Sequence, residues 1–469
     1  MSNSISDSQT VDKTPATSPE DKTKSSSTVS IQPESGVTNS PAPSVSSGND
    51  SLGDSPTSGG YYVFIIIYLV LLSAFGSFVN DMYIPTLPEM VKAFGCSVST
   101  CQLGLTFGMI GLGVGEILLG PLSDRYGRKP ILIIALIIFA IGAFCSIWSR
   151  SIQEFIWWRL VQGLGASGGY FLARTIPADM YRGRNLAKVM ALVGAINGFA
   201  PASAPVIGGF VGRAVGWRGI FWILFGFSLL LLLLAPAFKE SLPKNRRVDG
   251  KRAFGNYLIL ARNKNFVVHV LLKGAALGML FAYISAAPFI IQDHYHYTQL
   301  QFGLFMGFNA LFVAAGAMTA LKFKPLKRAA TFSGRLLFLI AIGQFICLYL
   351  VDSVWVYEAW NVATIFFMGM LFTVANTLAM NEGRDCAGDA SALVGFVGYV
   401  FGAIASPLVG LGDILHSTAI VLLVMAFITL IFTRMAKVLP PDLEATPQSA
   451  CATGVPRCPS GPSVTTTAQ

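Results

Sequence analysis

The chain has 469 residues, of which 53% are hydrophobic and only 12% charged, about half the roughly 25% charge of an ordinary soluble domain. Runs such as "FIIIYLVLLSAFGSF" from Phe64 and "GIFWILFGFSLLLLLLAPAF" from Gly219 are of the ~20-residue size that crosses a hydrocarbon core as a helix. A soluble globular protein is excluded, and the net charge of +9 is not a nucleic-acid footprint, because its basic residues are dispersed among short loops.

Residues 1–60 are rich in Ser, Thr and Pro without apolar periodicity, so they cannot bury enough surface to fold. They also lack the apolar core of a signal peptide. A disordered cytoplasmic tail is expected there and again over 438–469. Between them hydropathy predicts twelve spans, near 62–91, 102–122, 130–148, 155–176, 186–211, 217–237, 266–291, 301–321, 336–351, 357–380, 391–412 and 415–433. The longest polar interruption follows the sixth. The expected architecture is therefore an all-α polytopic membrane protein with 12 transmembrane helices in two six-helix halves. These are bundles over 61–238 and 266–437, joined by a basic cytoplasmic linker over 239–265.

Basic residues set the orientation. With the N-terminus inside, inward segments hold 22 Lys and Arg, and outward loops hold four: Lys92, Arg150, Arg213 and Arg218. Both termini are expected in the cytoplasm, with the plasma membrane, a bacterial inner membrane, as the location. Cys96 and Cys101 share the first outer loop, either as a disulfide or as two unpaired thiols.

Between spans two and three lies "GPLSDRYGRKP". Its glycines permit sharp turns and close packing, and Asp124 can accept hydrogen bonds from helix termini or arginines. Span four carries "RLVQGLGA" from Arg159, and span five "GAINGFAPASAPVIGG" from Gly194. An intramembrane arginine is costly and usually functional, although Arg159 lies near a span end and could instead snorkel. Small residues and Pro205 let helices approach and bend.

The first motif, with Gly120, Asp124, Arg125, Gly127, Arg128 and Lys129 in order, closely resembles the inner-loop signature of the major facilitator superfamily. "RLVQGLGA" resembles that family's fourth-helix pattern. "GAINGFAPASAPVIGG", with Gly194, Gly198, Pro205, Gly208 and Gly209, resembles its antiporter signature, with Ala204 where glycine is usual. "NDMYIPTLPEM", "WRGIFWI", "KESLP" and "YISAAPFI" are similar to the bicyclomycin and chloramphenicol resistance branch of the drug:proton antiporters. The resemblance implies proton-coupled efflux of amphipathic drugs or small metabolites, with proton-coupled nutrient uptake or a non-transporting receptor or scaffold as the alternatives. It also implies that the inner-loop motif acts as a latch between helix bundles.

Proton coupling needs a carboxyl whose charge changes between states. Asp81, which matches the branch's first-helix acid, is the first choice, with Arg159 at a compatible depth. Glu116 stands where the branch usually has Gln, and is either a packed structural acid or a second titrating site. Arg174 and Asp179 match the branch near the inner end of span four, as part of an inner gate. Lys273 has no family counterpart, and snorkelling to the inner surface would explain it. Tyr83, Phe107, Met109, Phe281, Tyr283, Asn309, Phe366 and Asn376 are candidate linings of a midplane pocket. No metal spacing or P-loop points to an enzyme. The implied partners are a small-molecule substrate, protons and the lipid bilayer, for a monomer that needs no cofactor beyond the proton gradient.

Overall fold

The structure, a computed structural model, describes residues 59–244, Arg247 and 250–438. The two expected tails lie almost wholly outside those residues. Ten described helices are long and apolar enough to cross a membrane. They are α1 (Gly59–Asp81, continued by the short α2, Leu87–Phe94), α3 (Val98–Tyr126), α4 (Arg128–Ile147), α6 (Gly183–Leu234), α8 (Lys264–Pro288), α9 (Gln299–Ala320), α10 (Leu326–Leu350), α11 (Val354–Glu382), α12 (Ala387–Leu408) and α13 (Ile414–Val438). Two further crossings complete the twelve. The 29-residue α5 (Ile152–Met180) carries Glu154, Arg159, Arg174 and Asp179, which lower its hydropathy. The 52-residue α6 is two crossings joined at Gly216, whose φ of 68° and ψ of −178° are not helical. Glycine tolerates that geometry without penalty.

Four boundaries differ from expectation. The first span ends at Asp81 rather than running to 91, because Pro85 and Pro88 remove backbone donors and turn the chain into a 3-10 segment, Ile84–Thr86, and α2. The loop expected before span nine is helical from Leu326, so Lys327, Arg328 and Arg335 ride on α10, while Lys322 and Lys324 precede it. The basic linker contains α7 (Gly250–Arg262), with Lys251, Arg252 and Arg262 flanking a mostly apolar middle. The charged segment after span two is also mostly helix, since α3 persists to Tyr126 and Gly127 alone, at φ 109°, makes the turn into α4.

The ends of the bundle are distinguished below as the α2 side and the α7 side. Within the first half, α3 and α5 approach so closely that a Cβ on Gly163 would collide with the Gly108 carbonyl and one on Gly111 with the Leu160 carbonyl. Without a hydrophobic driving force between helices in lipid, such small-residue packing is a principal source of association.

The halves meet along two seams. On one, Ser99 donates to Pro407 O at 3.0 Å and Thr106 to Ala403 O at 3.2 Å, joining α3 to α12. Nearer the α7 side the same seam continues through Gly113 against Phe396 and ends where Asn256 of α7 donates to Asp389 at 2.8 Å. On the other seam, Gly209 of α6 packs on the Gln299 carbonyl of α9, and Gly303 and Gly307 of α9 pack on Pro205 and Val206. Beyond Ala202, Phe199 and Met190 on α6 and Leu311 and Met318 on α9 are exposed. The contacts of the first seam thus run from the α2 side to the α7 side, and the glycine contacts of the second lie toward the α2 side.

Gly163→Leu should force α3 and α5 apart. Overpacking of this kind costs about 1–3 kcal/mol, so the detergent-solubilised protein should unfold several degrees below the parent, while Gly194→Leu, at a site with open space, should leave the transition unchanged.

Candidate functional site

Three groups of charged and polar side chains lie within the helices. The first surrounds Arg159, which is completely buried. It does not snorkel. Its Nη1 donates to Val79 O at 3.3 Å and to the Gln162 side chain, and its Nε donates to Gly104 O at 3.4 Å. The guanidinium lies over the Tyr83 ring, 4.4 Å from its centroid. Gly108 leaves the space it fills, since a Cβ there would be 2.8 Å from Nη2, and Gly104 makes room for the neighbouring Phe155. Backbone carbonyls and a π face, rather than a carboxylate, balance this charge. Asp81 is 9% exposed and accepts a hydrogen bond from Asn80 at 3.4 Å. Among the described residues it forms no ion pair, so the depths that permitted contact with Arg159 do not produce a salt bridge.

The second group lies between the halves. Glu116 is 1% exposed and pairs with Arg174 at 3.0 Å. Its other oxygen, which meets no donor, packs against Gly395 of α12. Arg174 also reaches Ser391 of α12 at 3.4 Å and lies 4.2 Å from the centroid of its own helix's Tyr170. Tyr399 of α12 faces Tyr170, Glu116 and Arg174, within electrostatic reach of Asp81. Nearby, Lys273 of α8 donates to Asn376 of α11 at 2.8 Å and lies over Phe372. It too points inward rather than snorkelling, and it sits close enough to Glu116 and Arg174 to feel both charges.

Glu116 therefore groups with Arg174 and not with Arg159, and Arg174 parts company with Asp179. Tyr170 and Tyr399 were missed because a tyrosine in an apolar run looks like an ordinary packing residue.

The third group is the inner-loop motif. Arg128, 5% exposed, bonds Asp124 at 2.6 Å, Asp179 at 2.8 Å and the Ser123 hydroxyl at 2.6 Å. Glu240, from "KESLP", accepts from the backbone N–H groups of Arg128 at 2.8 Å and Lys129 at 3.3 Å. A carboxylate there satisfies free donors at the start of α4 and complements its dipole. Lys129 reaches Pro236 O at 2.8 Å, and Arg125 lies over Tyr126. None of these partners belongs to the second half, so in this conformation the motif ties α3, α4, α5, the end of α6 and the start of the linker together, and does not latch one bundle to the other.

The eight candidate pocket residues do not form one pocket. Met109 and Phe281 converge on Gly402 at the α3–α12 seam. Tyr83 belongs to the Arg159 group, and Asn376 to Lys273. Tyr283 and Asn309 bond each other at 2.7 Å inside the second half. Phe107 stands edge-on to the exposed Trp157, and Phe366 packs on Phe367. In the antiporter motif, Gly208 lies on the Met82 carbonyl, while Pro205 and Gly209 form the α6–α9 seam. Gly198 is placed in α6 by its backbone. Cys96 and Cys101 are free thiols, and hydrogen bonding to Cys101 lowers the Cys96 thiol to about 7.

Twelve helices in two halves, with buried ions gathered at and beside the seam between them, define a membrane transporter that binds a small-molecule substrate. The chain belongs to the Major Facilitator Superfamily, whose profile matches residues 69–407; these proteins are secondary transporters and not enzymes. It is 32% identical over 388 residues to YdgK, an uncharacterised MFS-type transporter of Bacillus subtilis, covering 78% of this chain and 93% of that one. It is 28% identical to a bicyclomycin resistance protein homolog of Haemophilus influenzae, over 74% of this chain and 89% of the relative. Such relatives put it in the drug:proton antiporter branch. Its fold is that of the xylose transporter XylE from E. coli in a partially occluded inward-open conformation, with a TM-score of 0.64 over 82% of this chain and 100% of that one at 16% identity.

Arg128→Lys should replace a fork that reaches three partners by a point charge that cannot. Loss of hydrogen bonds to charged groups costs about 1.5–3 kcal/mol each, so a lower unfolding temperature is expected. The loss should be smaller than additive when combined with Asp179→Asn, because both changes remove the same bond.

Proposed function

We propose that the protein exports amphipathic drugs or small metabolites in exchange for protons, as a monomer in a bacterial inner membrane with its α7 side in the cytoplasm. The excess of Lys and Arg on that side supports the orientation. The resistance name of the Haemophilus relative supports efflux over uptake or a scaffold role.

The observation that carries the proposal is the state of Asp81. It is buried in α1 without an ion pair among the described residues, while the neighbouring Arg159 is held by carbonyls and a tyrosine face. A carboxyl in that position can bind a proton without breaking a salt bridge. Movement of α1 relative to α5 would change its distance from the Arg159 charge and with it the affinity for the proton. Glu116 differs, since its charge is already neutralised by Arg174, and it acts as a structural ion at the seam. Substrate would enter between the halves from the α7 side, since the α6–α9 contacts lie toward the α2 side. Met109, Phe281 and Tyr399 offer apolar and aromatic surface at the seam.

Everted vesicles test this. Efflux should stop when the proton gradient is collapsed. Asp81→Asn should abolish gradient-driven export, and Glu116→Gln should retain most of it, because a glutamine oxygen still accepts from Arg174. Export indifferent to the gradient would sink the coupling. Loss of transport in Glu116→Gln alone, with Asp81→Asn active, would reverse the roles of the two acids.

A further inference from the structure

The second half contains a buried carboxyl that neither the family signatures nor the first-half groups account for. Glu358 lies one turn into α11 and is 5% exposed. No cation pairs with it among the described residues, and neither oxygen closes a hydrogen bond, the Asn309 amide being the donor that lies beside it. The groups around it come from every helix packed on this part of α11. Asn309 of α9 lies beside it, and the Asn309 side-chain oxygen is itself unpartnered. The Tyr283 phenol of α8 accepts from the Asn309 amide at 2.7 Å and reaches the Met306 sulfur at 3.3 Å. Tyr357, adjacent in α11, is fully buried with its hydroxyl unpartnered. From α10, Gln344 donates to Asn361 at 3.0 Å, one turn further along α11.

The cluster leads to the α2 surface. Tyr295 follows the π-helical turn Phe289–His294, and its ring lies 6.4 Å from that of Tyr357. Tyr295 in turn faces Asp352, an exposed carboxylate held below its ordinary range by a 2.9 Å bond to His294. Asp352, Tyr295 and Tyr357 thus lie between solvent and Glu358, without a hydrogen bond joining the two tyrosines.

An isolated carboxylate cannot sit unpaired in an apolar interior without a prohibitive desolvation cost, whereas the neutral acid can. The acid also has an O–H to donate to the unpartnered Asn309 oxygen. We propose that Glu358 is a second proton-binding site, separate from Asp81, that holds its proton in this conformation and exchanges it with water on the α2 side. The step is a simple one: a proton from bulk water bonds to a carboxylate oxygen on loading and returns to water on release, with no electron transferred. Its place in a transport cycle rests on the proton coupling proposed above, but occupancy of the site does not.

Infrared spectroscopy of the full chain in proteoliposomes at neutral pH, in H2O and D2O, reads that occupancy directly. Glu358→Gln should remove one deuterium-sensitive carboxylic-acid absorption that Asp81→Asn leaves in place, and Glu358→Asp should return one at a shifted frequency. An unchanged acid region in a folded Glu358→Gln protein would overturn the proposal. If that variant does not fold, loss of the shifted absorption in Glu358→Asp would do so. If the absorption is present but wild-type efflux ignores the proton gradient, the coupling reading fails and the proton site stands.

Discussion

The first half is organised around one demand: a full positive charge, Arg159, must exist within a membrane helix without a carboxylate touching it. Idealised costs for such burial are many kcal/mol, so the neighbourhood must supply dipoles in place of water. It does so with the Val79 and Gly104 carbonyls, the Gln162 side chain and the face of Tyr83. These contacts constrain α3 and the end of α1 with the turn that follows it, around α5 itself. Gly104 and Gly108 must lack side chains so that α3 can close on α5. The end of α1 must present Val79 O, which places Asp81 two residues further on, beside the charge and not upon it.

Arg128 meets a similar demand by the opposite means. It lies near the α7 surface, two carboxylates and a hydroxyl neutralise it, and Glu240 fixes the backbone beside it. The contrast separates structure from proposed coupling. A charge fully paired within one half holds that half rigid as the halves rock. A charge paired only with carbonyls leaves its nearest acid free to gain and lose a proton. Glu116 and Arg174 fall between these cases, since they pair with each other but touch Ser391 and Gly395 across the seam, so any opening there changes their surroundings without removing their partner.

Much of this was legible before the structure. The twelve crossings followed from hydropathy and the motif "GPLSDRYGRKP" from its residue order, because each leaves a local mark, whereas the sequence left Arg159 open between burial and snorkelling. What escaped was non-local. Which acid Arg174 meets depends on helix rotation, and a 3.6-residue period alone does not set the angle at which α5 faces α3. Lys273 looked like a snorkelling lysine because its partner, Asn376, lies 103 residues away. Glu358 stands inside "VWVYEAWNV" and carried the same signal as Glu116. It was passed over because its expected span began only one residue earlier, which made it look interfacial.

The central claim is that the two halves, joined along α3–α12 and, toward the α2 side, along α6–α9, open and close against each other at their two ends during transport. Double electron–electron resonance with spin labels on two pairs addresses it directly. One pair joins Leu192 of α6 to Met318 of α9. The other joins Lys92 and Asp293, bonded at 3.2 Å on the α2 side. Across a pH titration in lipid, the first distance should shorten as the second lengthens. Two distances that shift in the same direction, or that do not shift at all, would contradict the account.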